Sequence, residues 1–318
     1  MLGRRRRKSL HVLLDLAPYS VSDRALYDDS AVIDAIRRDP SSARRRYVFR
    51  ATCVGGTPHP VHPILLAVGL GASVATVHAI CDAQISGGDG GKTDDLALCS
   101  ERDRFGRTAL HYACEYRASI DVVRLLLEND PDSAGSRDFI WRTPLHCACA
   151  YGASTDVVRI LINARPVSVE ERDRRKRTPL HMACSHDATL EVARMLLELY
   201  PRAVDEMNGK GATPLEIVQK GNGSSLEVLE SLSLVSRVMK LDDGEGEKAI
   251  KLLKESIAID WIGGVALILD IQPRIVHLLQ MEDKFKPQLL CMIGRACKMQ
   301  TMLQVLVSMP CLFAIEVE

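Results

Sequence analysis

The chain has 318 residues, more than one small domain needs, so it forms either two or three compact domains or one extended repeat array. Apolar residues make up 47 % of it and aromatic residues only 4 %. We therefore expect a core of Leu, Val, Ile and Ala in thin stacked layers. Lys plus Arg and Asp plus Glu number 41 each. This balance argues against a general polyanion-binding surface and leaves only local basic patches open.

The N-terminal residues 1–22 carry the basic run Arg4-Arg5-Arg6-Arg7-Lys8. The apolar stretch after it is short and is interrupted by His11 and Asp15, so no secretory signal peptide is predicted. We predict a disordered basic tail, with a short nuclear-localisation patch as the functional alternative. The longest apolar run elsewhere, near residues 261–271, falls short of the ~20 residues that a membrane-spanning helix needs.

Residues 23–100 show helix patterns and a Gly-rich loop. Residues 30–38, followed by Pro40, predict one helix, and His62-Pro63-Ile-Leu-Leu-Ala67 predicts the start of another. The loop contains Ser86-Gly-Gly-Asp-Gly-Gly-Lys92-Thr93, which nearly spells the phosphate-binding pattern G-x-x-x-x-G-K-[ST]. The first glycine is missing, and residues 74–85 before it predict a helix where that loop needs a strand. A flexible insertion is favoured, and nucleotide binding through Lys92 and Thr93 is the alternative.

Residues 101–218 contain four copies of one motif at intervals of 35 residues. The copies are Thr108-Ala-Leu-His-Tyr-Ala113, Thr143-Pro-Leu-His-Cys-Ala148, Thr178-Pro-Leu-His-Met-Ala183 and Thr213-Pro-Leu-Glu-Ile-Val218. The first three are followed by an amphipathic pattern, as in Asp121-Val-Val-Arg-Leu-Leu-Leu127. Ser119, Ser154 and Thr189 are placed to cap these outer helices, and Pro131, Pro166 and Pro201 to end them.

This motif, with Asp103, Asp138, Asp173 or Asn208 before it, resembles the ankyrin repeat. The resemblance implies an all-α solenoid of about seven stacked helix-turn-helix units joined by short hairpin-like turns. It covers an array over residues 23–236, with clear copies at 101–218, and degenerate helical repeats over 237–318. The family uses the motif histidine as a tie between neighbouring turns, so His111, His146 and His181 are expected to be structural.

Residues suited to catalysis or metal binding occur along the repeats, but their spacing does not favour either. Ten cysteines form no CxxC pair, and Cys114, Cys149 and Cys184 recur at one repeat position as small apolar residues, which indicates reduced thiols in an intracellular compartment. Equivalent histidines and cysteines lie about one repeat layer apart, too far to share a zinc ion. No nucleophile has an evident base and orienting group. We therefore predict no enzyme, cofactor or metal.

The resemblance implies instead a protein-binding scaffold or adaptor that contacts another protein through turn tips and the concave inner-helix face. The predicted contact residues are Phe105, Tyr112, Tyr116, Phe139, Ile140, Trp141, Tyr151, Arg174, Arg175, Lys176, Met182 and His186. Aromatic clusters on exposed turns are typical of interface anchors, although Ile140 and Trp141 packing over adjacent turns is an equal alternative. The competing function is a regulator that binds nucleic acid through two basic clusters, Arg4 to Lys8 and Arg172 to Arg177.

The C-terminal end is unusually apolar for a terminal repeat, which normally has a polar outer face. Residues 289–313 are dense in Leu, Met, Cys and Val. Self-association, a bound partner or a chain that ends early would each account for this composition.

Overall fold

A computed structural model describes residues 8–49, 59–85, 101–186, 188–221, 225–242 and 245–271. The chain divides into two compact units, Met1–Ala188 and Thr189–Glu318. The described residues contain one isolated antiparallel bridge, between Tyr47 and Val61, and otherwise only helices, turns and loops. The predicted all-α class is therefore confirmed.

The first unit is a two-layer stack of helix pairs. Its helices are α1 (Leu10–Leu14), α2 (Val21–Ala25), α3 (Asp29–Arg38), α4 (Pro63–Leu70), α5 (Val74–Ile85), α6 (Ala109–Glu115), α7 (Ile120–Asn129), α8 (Pro144–Tyr151), α9 (Thr155–Ala164) and α10 (Pro179–Ser185). The inner helices α4, α6, α8 and α10 each pack on the next, and the outer helices α3, α5, α7 and α9 do the same. Each helix buries its apolar residues against the neighbouring copy, so this unit is a solenoid.

The second unit contains five described helices that pack as an all-helical group. These are α11 (Leu190–Leu199), α12 (Pro214–Lys220), α13 (Leu226–Val238), α14 (Gly246–Ala258) and α15 (Ile262–Ile271). Helix α13 contacts each of the other four. Within residues 237–318, where degenerate helical repeats are predicted, α14 and α15 are present, whereas the apolar residues 289–313 lie outside the described residues.

Local capping explains where the helices of the clear repeats begin and end. The side chains of Thr143 and Thr178 accept the backbone N–H three residues on, and Pro144 and Pro179 occupy the first helical position. Ser154 caps α9 in the same way. The outer-helix prolines end the α-helices as predicted, but each also begins a further short 3-10 turn, at Pro131–Gly135, Pro166–Val169 and Pro201–Asp205.

Two boundaries differ from the predicted organisation. Within the predicted disordered tail, α1 is formed and its Leu10 and Leu14 side chains are buried. The reason is apolar contact, because α1 packs against α3 and α4. The division between compact units also falls after Ala188, inside the predicted array 23–236, and not at residue 236.

Candidate functional site

The turns of the first unit are built around one repeated carboxylate. Asp138 Oδ1 accepts the backbone N–H groups of Ile140 (3.0 Å) and Arg142 (2.8 Å), and its Oδ2 accepts the Arg142 Nε–H at 2.8 Å. Asp103 with Arg107 and Asp173 with Arg177 repeat this geometry. Each carboxylate thereby closes its own turn and is almost fully buried.

The sequence analysis did not predict the role of the three arginines in these pairs. Arg107, Arg142 and Arg177 stand immediately before the repeated threonine at intervals of 35 residues, which is the signal that identifies them. Their guanidinium groups are largely buried and paired with the turn carboxylates. They hold the turns and are not available as contacts for a partner.

The motif histidines tie successive turns together, as predicted. His146 Nδ1 accepts the Thr143 backbone N–H at 3.2 Å, so the ring proton is on Nε2, which donates to the Arg177 carbonyl oxygen at 3.1 Å. His111 makes the same bonds, with its Nε2 at 3.0 Å from the Arg142 carbonyl oxygen. Burial lowers the pKa of each ring to about 4, so both are neutral at physiological pH. Their role is structural.

The ties place three turn tips side by side: tip one (residues 104–106), tip two (139–141) and tip three (174–176). The Phe139 backbone N–H donates to the Phe105 carbonyl oxygen at 2.8 Å, and the Arg174 N–H donates to the Ile140 carbonyl oxygen at 2.9 Å. The rings of Phe105 and Phe139 have centroids 5.5 Å apart, and the Arg174 guanidinium lies 5.5 Å from the Trp141 ring centroid. The tips therefore form one continuous row.

The last residue of each tip has a left-handed backbone conformation. It is Gly106 (φ 74°) in tip one, but Trp141 (φ 65°) in tip two and Lys176 (φ 56°) in tip three. In the second unit Gly211 (φ 75°) holds the equivalent position. A side chain in this conformation costs roughly 1–2 kcal/mol, a cost that glycine avoids. Tips two and three thus retain a side chain where the same turn is otherwise made with glycine.

Most predicted contact residues are accessible. Phe139 and Trp141 are 52 % and 49 % exposed. Also exposed are Tyr151, Arg174, Arg175, Lys176 and His186, and half-buried are Phe105, Tyr116 and Ile140. Phe139 and Trp141 each contact a neighbouring tip and still leave about half of the side chain accessible. Both side chains are therefore packed against an adjacent turn and also exposed to solvent.

Two of the predicted contact residues, Tyr112 and Met182, are buried, so the prediction that they contact a partner is wrong. They are only 4 % and 3 % exposed. The position after the motif histidine faces the preceding inner helix: a Cβ added to Gly69 of α4 would lie 3.0 Å from Tyr112 Cδ1. The Tyr112 hydroxyl also donates to Asp103 Oδ2 at 3.1 Å, which fixes it as part of the first turn.

A cavity of about 250 Å³ lies below tip one. Its polar wall includes Asp103, Arg107 and Glu115, and the Arg107 guanidinium pairs with both carboxylates, at 2.8 and 2.9 Å. Arg107 balances only one of the two carboxylates, and Arg104, which also lines the cavity, brings the net charge of the wall to zero. The cavity wall therefore does not define a complementary site for a charged ligand.

The residues considered for catalysis or metal binding are core residues where they are described. Cys114, Cys147, Cys149 and Cys184 are buried, and burial raises the pKa of the Cys147 and Cys184 thiols to about 12. Across the described ranges, His, Cys, Asp and Glu form no group of three or more able to hold a metal ion. The phosphate-loop candidate with Lys92 and Thr93, and the basic run except Lys8, lie outside the described residues.

Comparison with known proteins agrees with this architecture. A family model for ankyrin repeats in three copies matches residues 134–208, and one for the single ankyrin repeat matches residues 105–136. No curated protein matches the chain. No helix among the described residues is long and apolar enough to cross a membrane. The motif, the capped helix pairs and the family match agree on residues 105–208, and the chain is an ankyrin-repeat protein.

Proposed function

We propose that the protein is a non-catalytic scaffold or adaptor that binds another protein through its turn tips and the concave inner-helix face. Ankyrin repeats are in general protein–protein interaction modules. The observation that carries the proposal is the pair Phe139 and Trp141, two large apolar side chains that are about half exposed at the first and third positions of one hydrogen-bonded turn tip. Aromatic residues held in this way are favoured as interface anchors.

The rigidity of the tips supports binding there. Each tip is fixed by its own buried carboxylate and by a backbone bond to its neighbour. A partner therefore meets a preformed surface, and little conformational entropy is lost on association. Phe and Trp add large contact areas with few rotatable bonds.

A second row of accessible side chains supports contact with the inner-helix face. Tyr116, Tyr151 and His186 end the inner helices α6, α8 and α10 at intervals of 35 residues, and all three are at least partly exposed. Together with the tips they give one partner two lines of contact.

The alternative functions have less support. The buried thiols are held protonated, which disfavours nucleophilic chemistry at these positions. The same reduced cysteines favour an intracellular location, cytoplasmic or nuclear. Nucleic-acid binding would need a wide basic surface, whereas Arg107, Arg142 and Arg177 are committed to turn carboxylates.

Affinity capture from cell lysate tests the proposal. The intact chain is compared with a Phe139→Ala, Trp141→Gly variant and with an Arg124→Ala, Arg159→Ala control, whose residues are exposed on outer helices. We expect proteins retained by the intact chain and the control to be lost by the tip variant, with helical circular dichroism unchanged. Equal retention by all three would overturn binding at the tips.

A further inference from the structure

Tip three carries an excess of positive charge that the fold does not use. Arg174, Arg175 and Lys176 are exposed, and no carboxylate among the described residues lies within ion-pair distance of them. The adjacent arginine, Arg177, is different, since it pairs with Asp173 at 2.7 Å. Intramolecular pairing therefore explains one cation of this turn and leaves three facing solvent.

The neighbouring carboxylates do not neutralise this charge at the surface. The Asp138 and Asp173 side chains are 0 % and 1 % exposed and are bonded to arginines. Tips two and three therefore present to solvent only apolar and cationic side chains, with Arg174 stacked over the indole of Trp141. An apolar anchor beside unpaired cations is complementary to an acidic segment that carries an apolar residue.

The backbone at these tips is a second, independent observation. Trp141 and Lys176 are the non-glycine residues at the left-handed position, and they occur in adjacent tips. The turn itself does not need them, because Gly106 forms it in tip one. Backbone strain of this kind clusters at functional sites. This indicates that the Trp141 indole and the Lys176 ammonium group contribute to function.

We infer that the partner segment recognised at tips two and three is an acidic stretch of polypeptide, whose carboxylates contact Arg174, Arg175 and Lys176 beside an apolar contact with Trp141. This inference rests on the proposed protein-binding function and names the class of partner. A polypeptide is favoured over nucleic acid because the chain has zero formal net charge, and within the row of three tips the exposed cationic residues all lie in tip three.

Fluorescence anisotropy with defined probes tests the inference on the full chain. The probe is a short labelled peptide rich in Glu and Asp with one central Leu, and the controls are its Gln and Asn counterpart and a single-stranded oligonucleotide of equal charge. We expect the acidic peptide to bind and the amide peptide not to bind. Binding should weaken at least about tenfold in an Arg175→Glu, Lys176→Glu variant, which reverses charges at the surface rim.

Two further variants make the result decisive. Trp141→Gly should weaken peptide binding while keeping the turn, and Arg124→Glu, Arg159→Glu, which makes the same charge change on outer helices, should leave it unchanged. The inference is overturned if the oligonucleotide alone binds, if the acidic peptide does not bind, or if both charge-reversal variants lose binding equally. Capture that depends on Phe139 and Trp141 but not on Arg175 and Lys176 would sink this inference and leave the proposed function intact.

Discussion

Single residues at the turn tips distinguish this surface from one in which every turn ends in glycine. The left-handed tip position is glycine in two turns and Trp141 or Lys176 in the two between them. Because the turn hydrogen bonds of Asp103 and Asp138 are the same, the turn forms with either kind of residue. The fold of the turn therefore does not depend on which side chain occupies this position.

The left-handed backbone at position 141 predicts that a glycine variant is more stable than an alanine variant. Trp141→Gly and Trp141→Ala remove the same indole contacts, but only alanine keeps a Cβ in the left-handed conformation. We expect the glycine variant to be the more stable of the two by about 1 kcal/mol. Urea unfolding followed by circular dichroism measures the difference. An alanine variant as stable as the glycine variant would show that position 141 is not strained.

At the scale of the helix and its cap, the histidine ties make the first unit sensitive to acid. The pKa of His146 is about 4 in the fold and near 6.5 in an unfolded chain. The unfolded state therefore binds more protons between these values. The stabilising contribution is complete above about pH 6.5 and declines as the pH falls toward 4, by up to about 1.4 kcal/mol per pH unit for each such histidine.

The variant His146→Gln tests this tie. A glutamine oxygen accepts the Thr143 N–H without titrating, as the Glu216 carboxylate does for Thr213 at 3.3 Å. We expect a loss of about 1–2 kcal/mol at neutral pH, because the bond to the Arg177 carbonyl oxygen is lost, and a shallower fall in stability below pH 6.5. Urea midpoints measured across this pH range report both effects. An unchanged pH dependence would argue against a neutral buried His146.

Helix boundaries were largely predictable from sequence because capping is local. Ser119 and Ser154 cap the outer helices as predicted, and the helix over residues 74–85 was anticipated from the repeat register. The face that each inner-helix residue presents was less predictable. Tyr112 is buried because the preceding repeat packs over it, and one repeat read alone does not contain that neighbour.

The candidate site was predictable in kind but not in detail. The aromatic residues of tip two stand out in the sequence because turns rarely carry them. The left-handed backbone at Trp141 was hidden, since glycine is the usual signal for that conformation. The burial of Arg107, Arg142 and Arg177 depends on side-chain pairing across each turn, which composition alone does not reveal.

For the whole molecule, the proposed function depends on where charge and apolar surface lie and not on their totals. The formal net charge is zero, yet three unpaired cations lie together beside an exposed indole on one turn row of the first unit. A solenoid allows this arrangement because stability is shared among neighbouring repeats and the tips are free to vary.

Site-specific photo-crosslinking tests the central claim most directly. A photoreactive amino acid replaces Trp141 in one protein and Arg159, on the outer helix α9, in another, and each is irradiated in cell lysate. We predict discrete crosslinked proteins at position 141 and none of these at position 159. If position 141 gives no crosslinked protein, or the same products as position 159, the tips are not the partner-binding surface.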